Sequence, residues 1–356
     1  MPRVAGVDPG TVSFELCVLD DGRPVIERTF ASRDLADDPA PLLAALSENG
    51  PYDLVYGPSG YGLPLVAAAE VGDRELAEMV LVRRDEARSA TGVVGLRRLL
   101  RALAAGGLPV VFGPGAIHLP TVPAHRKYNR IDIGTADKVC AAAWAITEQS
   151  ARRAIALDET ALILLELGGG FSAALAVAEG RIVDGMGGSS GPIGLRAAGA
   201  LDGELAYLLG PGLQKRTLFS GGALDPTGDR ELGDLAALWR SQADAEGWAA
   251  LLESAAKAVR SLTVSVPHPH EIVVSGRLAA VPELVAALAE SLADVAPTVS
   301  LPAGAASAAA RGGALLADGL AGGRHAPLVE VLRLREASGS VLDHVRVAGA
   351  DSVELG

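Results

Sequence analysis

Two acidic side chains in this sequence each stand two residues before a glycine, at the end of an apolar run. Each acid is followed by glycines and small hydroxyl side chains, namely Gly10, Thr11 and Ser13 after Asp8, and Gly168, Gly169, Gly170 and Ser172 after Glu166. A glycine-rich turn points backbone N–H groups at one spot, which suits a phosphate. A carboxylate beside it can hold Mg²⁺ through water. The spacing therefore predicts two phosphate-binding loops, with Asp8 as the metal-binding candidate.

The two segments repeat one pattern in the same register. Fourteen residues separate Asp8 from Gly22, and fourteen separate Glu166 from Gly180. Each segment is typical of a strand, a glycine-rich hairpin, a second strand, a glycine turn and a third strand. An Asp that caps its own turn, or a bulge without a ligand, would explain either segment alone. The repeat favours two hairpins that bind one polyphosphate from opposite sides.

Further elements place these loops in an α/β architecture with duplicated mixed-sheet domains and a cleft between two lobes. We expect an N-terminal lobe at residues 1–145, a C-terminal lobe at 146–323, and a tail at 324–356 that is ambiguous between strand and helix. A strand-like run at 79–82 precedes Arg83. Helices are predicted at 39–49, 91–105, 134–150, 202–209, 231–242, 246–262 and 303–320, and strands at 53–57, 108–112 and 271–277. The helices at 134–150 and 303–320 are rich in Ala and Gly, so they could cross closely.

Composition narrows the function classes. The 356 residues carry a net charge of −12, which argues against nucleic-acid and acidic-membrane partners because no basic face is available. No uncharged apolar run is long enough to predict a membrane span, and the first strand begins too early for a signal peptide. Cys17 and Cys140 are isolated, as in a reduced cytoplasmic protein. These features favour a cytoplasmic protein with a small-molecule partner.

Several segments resemble, in the same order, the butyrate kinases. These belong to the acetate kinase branch of the superfamily of actin, heat-shock chaperone ATPases and sugar kinases. The resemblance is closest to proteins labelled predicted butyrate kinases. It extends over about residues 1–323, in segments 7–27, 53–64, 110–123, 126–138, 165–192 and 274–279. It implies a two-lobed actin-like ATPase fold, of the ribonuclease H-like type, and a homodimer.

The resemblance also implies ATP, Mg²⁺ and transfer of the γ-phosphoryl group to a carboxylate, which gives an acyl phosphate. Asp8 would face the metal, and the residues of both hairpins would face the phosphates. The segment Ser275, Gly276 and Arg277 would lie beside the nucleoside. The candidate catalytic residues are Asp8, Glu166, Asp137 and Lys138. The candidate substrate residues are Ser59, Gly60, Arg83, Thr135 and Arg196.

The sequence departs from the family where positive charge would hold the acceptor. The family's Asn is Asp8 here, its early-loop Arg is Pro58, and three of its His residues are replaced by Ile133, Asp137 and Glu166. Arginine and lysine elsewhere could supply the charge. The candidates are Arg83, Arg84, Lys127, Arg130, Lys138 and Arg196.

Three functions remain open from the sequence. The first is an ATP-dependent phosphotransferase acting on a small carboxylate. The second is a nucleotide-binding regulator or scaffold that has lost phosphotransfer, since the family's Arg and His positions have changed. The third is a kinase for a sugar or hydroxy acid, with Asp132 or Asp137 as the base.

Overall fold

The structure is a computed structural model that describes residues 2–10, 13–31, 38–57, 60–86, 91–224, 232–241, 244–302, 304 and 306–356. Its strands are β1 Arg3–Pro9, β2 Ser13–Asp20, β3 Arg23–Ala31, β4 Leu54–Gly57, β5 Val66–Ala67, β6 Val110–Phe112, β7 Leu162–Leu167, β8 Ser172–Ala178, β9 Arg181–Met186, β10 Glu271–Ser275 and β11 Thr298–Ser300. Its α-helices are α1 Ala40–Asn49, α2 Asp73–Val80, α3 Thr91–Ala105, α4 Ala124–Lys127, α5 Ala136–Arg153, α6 Gly203–Leu209, α7 Leu235–Ser241, α8 Ala245–Leu262, α9 Pro282–Ser291, α10 Ala308–Leu320 and α11 Ala326–Val331. Short 3-10 helices include Lys215–Phe219 and Arg277–Ala280.

The strands form two mixed sheets that share the topology of five strands, and the first sheet has an additional edge strand, β5, antiparallel to β6. The first sheet has the order β3-β2-β1-β4-β6-β5, and the second has β9-β8-β7-β10-β11. In each sheet, the first three strands in chain order pair with one another in antiparallel orientation. Two further strands are parallel to the first strand, namely β4 and β6 in the first sheet and β10 and β11 in the second. The predicted duplication is therefore present as two equivalent sheets.

The register repeats as closely as the strand order. Asp8 pairs with Glu15 across the first hairpin, and Glu166 pairs with Ala173 across the second, seven residues apart in both. A register shift interrupts the second and third strands of each sheet at the same place, between Val18 and Leu19 and between residues 176 and 177.

The turns that join the second and third strands are also equivalent. Asp21 and Gly22 have φ values of 49° and 67°, and Glu179 and Gly180 have 51° and 70°. Two consecutive left-handed residues form the tight turn that matches the twist of a hairpin. Glycine at the second position avoids the steric cost of that conformation.

Helices α5 and α10 cross between the lobes. Helix α10 packs on β1, β2 and β4 of the first sheet, α5 packs on β7 and β8 of the second, and the two helices pack on each other. A Cβ at Gly312 would lie 1.7 Å from the carbonyl oxygen of Cys140, and one at Gly6 would lie 2.2 Å from that of Ala310. The small residues of these helices therefore serve close packing.

The tail, which the sequence left ambiguous between strand and helix, contains α11 and two short 3-10 helices joined by turns, and a few of its apolar side chains are buried. Leu328 and Val329 of α11, and Leu332 after it, join the same core cluster as α5 and α10. The last residue donates its N–H to the carbonyl oxygen of Val82. The lobe boundaries at residues 145 and 323 stay a prediction.

The strand-like run at 79–82 was a wrong prediction. Helix α2 extends to Val80, and its apolar residues Leu76, Met79 and Val80 face the core. Four apolar residues in a row fit a buried helix end as well as a strand, so periodicity could not separate them. Within the described residues, none of the helices combines the length and apolar character that a bilayer crossing requires.

Candidate functional site

The first hairpin presents a buried carboxylate at the end of β1. Asp8 is 8% exposed, and its Oδ2 accepts a hydrogen bond from Ser307 Oγ at 2.6 Å. Ser307 caps α10, since its Oγ also accepts from the N–H of Ala310 at 3.1 Å. The start of one crossing helix thus holds the acid of the first hairpin.

The start of the other crossing helix holds the acid of the second hairpin. Lys138, in the first turn of α5, donates from Nζ to Asp137 Oδ2 at 2.7 Å and to Glu166 Oε1 at 2.5 Å. Thr135 Oγ1 donates to Asp137 Oδ1 at 2.5 Å. Four of the predicted site residues, Thr135, Asp137, Lys138 and Glu166, therefore form one partly buried network.

These acids have unequal ionisation. Burial, together with the charge of Asp137, raises the pKa of Asp8 from its ordinary value of 3.8 to about 8. Burial also raises the pKa of Glu166, although Lys138 opposes this. Burial disfavours the charged form of Asp137 too, but Lys138 and Thr135 outweigh it and lower its pKa. For Lys138 itself, the two carboxylates outweigh burial and raise the pKa.

The hairpins themselves are alike at their glycines. A Cβ at Gly10 would lie 2.6 Å from the carbonyl oxygen of Ser13, and one at Gly168 would lie 2.8 Å from that of Phe171. The N–H of Gly168 donates to the same Phe171 oxygen at 3.0 Å, inside the hairpin. Each turn is therefore too tight for a side chain at this position.

The segment predicted to face the nucleoside lies against both hairpins. Ser275 is paired with Glu166 in the parallel register of β10 and β7. Gly276 has a φ of 82°, and a Cβ there would lie 2.4 Å from the carbonyl oxygen of Leu167. Arg277 Nη2 donates to Ser13 Oγ at 3.1 Å, which links this segment to the first hairpin. The segment 275–277 therefore contacts both hairpins and brings them close to each other.

Buried polar atoms at this site lack partners within the described part of the chain. They are Glu166 Oε2, Ser172 Oγ and Ser275 Oγ. Buried polar groups are normally satisfied, so such a group of atoms suits a polar ligand. No cluster of three or more His, Cys, Asp or Glu side chains among the described residues could hold a metal ion alone. Asp8 with phosphate oxygens and water fits the way proteins bind Mg²⁺.

The structure brings some of the predicted substrate residues close to the two acids and leaves others on the surface. Gly60 accepts the N–H of Ala136 through its carbonyl oxygen at 3.0 Å, so the early loop reaches the start of α5 beside Thr135. Arg83 pairs instead with Asp85 and Glu86, and its side chain is about half exposed. Thr11 and Ser59 lie outside the described residues.

The other candidate cations have partners of their own. Arg196 lies beside the second hairpin, where its backbone N–H donates to the carbonyl oxygen of Gly170 at 3.1 Å. Lys127 Nζ donates to the carbonyl oxygen of Leu119 at 2.9 Å. Arg130 Nη2 donates to Ser190 Oγ at 3.2 Å, and Arg84 pairs with Glu354 on the surface.

Sequence reasoning missed two residues that contact the predicted segments, namely Ser307 at Asp8 and Lys215 at the early loop. Lys215 Nζ donates to Tyr61 Oη at 3.1 Å and lies 4.6 Å from the centre of its ring. Ser307 and Lys215 are separated from their partners by 299 and 154 positions. No local signal in the sequence could identify either contact.

Comparison with known families decides the classification. A family model described as "Protein of unknown function (DUF1464)" matches residues 6–347. The chain belongs to the DUF1464 family. None of the curated proteins matches its sequence.

Solved structures with the same architecture support the fold of this DUF1464 chain. A propionate kinase from Francisella tularensis subsp. tularensis SCHU S4 has a TM-score of 0.59 at 12% identity, covering 88% of this chain and 99% of that one. Acetate kinases give TM-scores of 0.55 (Entamoeba histolytica, 11% identity, covering 82% and 87%) and 0.54 (Porphyromonas gingivalis, 13% identity, covering 88% and 98%). The predicted two-lobed actin-like fold is confirmed.

Proposed function

We propose that this DUF1464 protein is an ATP- and Mg²⁺-dependent phosphotransferase with a small carboxylate as acceptor, similar to a butyrate kinase. The observation that supports the proposal is the contact of Arg277, beside the second hairpin, with Ser13 of the first. In the reaction, a carboxylate oxygen of the acceptor forms a bond to the γ-phosphorus. The bond from that phosphorus to the β,γ-bridging oxygen breaks, and ADP leaves with the electron pair. The product is an acyl phosphate.

The residues of the site have distinct roles in this proposal. Asp8 and the hairpin glycines face the metal-bound polyphosphate, and residues 275–277 face the nucleoside. Mg²⁺ supplies charge neutralisation when bound. Lys138 keeps its positive charge because Asp137 and Glu166 hold it in place. Phosphoryl transfer requires mainly positioning and neutralised charge, and these residues can supply both.

The environment of the candidate bases favours a carboxylate over a hydroxyl acceptor. A carboxylate is already ionised at neutral pH, whereas a sugar hydroxyl needs a base. Asp137 is bound to Lys138 and Thr135, which lower its pKa. Asp132 is also engaged, since its Oδ2 accepts from the N–H and Oγ of Ser189, both at 2.9 Å. Neither acid is well suited to accept a proton from a sugar.

An enzymatic assay tests the proposal. The protein is incubated with ATP, Mg²⁺ and a series of short-chain acids, and hydroxylamine traps any acyl phosphate as a hydroxamate. We expect hydroxamate and ADP in equal amounts with at least one acid. ATP binding by calorimetry without turnover on any acid would instead support the regulator or scaffold. The proposed homodimer is checked separately by sedimentation.

A further inference from the structure

Lys215 is a cation at the lobe interface without an ion pair among the described residues. It is the first residue of the 3-10 helix Lys215–Phe219. Its ammonium group contacts the hydroxyl and the ring face of Tyr61. Its backbone N–H donates to Glu86 Oε2 at 2.8 Å, which fixes the start of the helix against the first lobe.

The position of Lys215 connects the two sides of the proposed reaction. Tyr61 directly follows Gly60, whose carbonyl oxygen accepts the N–H of Ala136 at the start of α5. At the other end of the 3-10 helix, the ring of Phe219 packs edge-on against Phe171, with 4.9 Å between centroids. Phe171 directly follows the three glycines of the second hairpin. One short segment therefore contacts both the early loop and the second phosphate loop.

The electrostatics of Lys215 favour an anionic ligand. Burial lowers the pKa of Lys215 to about 8, although Asp132 and Glu86 oppose this. An ammonium that has lost hydration without gaining a carboxylate partner is stabilised when an anion binds to it. The other candidate cations already have partners within the protein. Arg83 and Lys138 form ion pairs with acidic side chains, and Lys127 donates a hydrogen bond to a backbone carbonyl oxygen.

We propose that Lys215 Nζ and Tyr61 Oη form the subsite that binds the carboxylate of the phosphoryl acceptor. This inference rests on the proposed function and names the residues that replace the family's missing Arg and His. At the other end of the same 3-10 helix, Phe219 is 39% exposed and packs on Phe171 of the second hairpin. Under this proposal these rings would contact the short apolar chain of an acceptor such as butyrate.

The test measures binding and activity separately. Butyrate is titrated into the full-length protein with ADP and Mg²⁺ present, and binding is followed by calorimetry. Losing one hydrogen bond to a charged group should weaken binding by roughly ten- to a hundredfold in Lys215→Met. Lys215→Arg should recover part of that loss because it keeps the charge. Lys257→Met is the matched control, since Lys257 is exposed and its ion pair among the described residues is with Glu253 along its own helix; it should bind like the wild type.

The outcomes distinguish the subsite from the proposed function. Butyrate affinity in Lys215→Met within threefold of the wild type would overturn the subsite, and so would a wild-type protein that binds none of the short-chain acids. Butyrate binding that depends on Lys215, without any hydroxamate, would support the subsite and reject the kinase. If Lys215→Met does not fold, Tyr61→Phe decides the matter: we expect butyrate affinity to fall by roughly three- to tenfold, and unchanged affinity would reject the proposal.

Discussion

The two glycine hairpins have the same backbone conformation, but different groups stabilise their acidic side chains. Asp8 accepts a hydrogen bond from the hydroxyl of Ser307, and Glu166 accepts one from the ammonium group of Lys138. Both donors lie at the starts of crossing helices, α10 and α5. The duplicated fold therefore has an equivalent position beside each acid. A neutral donor, Ser307, occupies it at Asp8, and a cation, Lys138, occupies it at Glu166.

This difference separates the functions of the two hairpins. An acid that is already paired with lysine has little capacity to attract a metal ion, because its charge is compensated. Asp8 forms no ion pair among the described residues, and its pKa is raised by burial and by the charge of Asp137, which the more distant charge of Lys138 does not offset. A nearby Mg²⁺ would lower that pKa. We therefore propose that the metal binds at the first hairpin and that the second hairpin connects the lobes.

The largest expected effect comes from Asp8→Asn. We expect phosphotransfer to fall by roughly ten- to a thousandfold, the scale of losing one charge-stabilising group. The same change should stabilise the free protein. The pKa of Asp8 in the folded protein lies above its unfolded value of 3.8. Its stabilising contribution to the free energy of unfolding is therefore complete below pH 3.8 and is lost as pH rises through about 8.

Urea unfolding measured across this pH range checks the second part. The advantage of the Asn variant should grow as pH increases and reach about 1–3 kcal/mol near the folded pKa, the scale of burying an unpaired polar group. Asp20→Asn, at the exposed opposite end of the sheet, is the control and should show no such trend. Unchanged kinetics in Asp8→Asn would remove Asp8 from the mechanism.

A smaller effect on activity is expected from Glu166→Gln. Lys138 would lose one of its two carboxylates, so the free energy of unfolding should fall by about 1–3 kcal/mol, the cost of losing a charged hydrogen bond. Activity should fall less than in Asp8→Asn. Glu253→Gln, in an exposed pair, should leave the urea midpoint unchanged. A larger activity loss in Glu166→Gln than in Asp8→Asn would reverse our assignment of the hairpins.

The smallest effect is a pH dependence of acceptor affinity. The pKa of Lys215 is lowered to about 8, so its charge is complete below that pH and is lost above it. Butyrate affinity should therefore decrease between about pH 7 and about pH 9. The titratable groups facing Lys215 are Tyr61, Glu86 and Asp132. Lys215→Arg should flatten the profile, because arginine stays charged; an equally steep profile would exclude Lys215.

The sequence predicted what depends on neighbouring residues. The hairpins follow from the spacing of acids, glycines and turns, and α3 has the predicted bounds because its apolar periodicity is strong. The start of α10 was predicted too early, since Ser307 caps the helix and Ala308 is its first residue.

The contacts that distinguish the hairpins could not be predicted. Whether Asp8 meets a serine or a lysine depends on which crossing helix starts above it, and that is set by packing between distant segments. The packing of α5 and α10 on the sheets could not be predicted for the same reason. The close contacts of Gly6 and Gly312 form only when distant segments are brought together by folding. Arg83 was a candidate because of its type, but its pairing with Asp85 and Glu86 is a property of the folded surface.

A crystal structure with Mg²⁺ and a non-hydrolysable ATP analogue tests the central claim most directly. We predict that the first hairpin, at Asp8 and Gly10, and the second, at residues 168–170, contact the same triphosphate from opposite sides, with the metal on the Asp8 side. A nucleotide that contacts only one hairpin, or that lies outside the site joined by Arg277 and Ser13, would contradict the account.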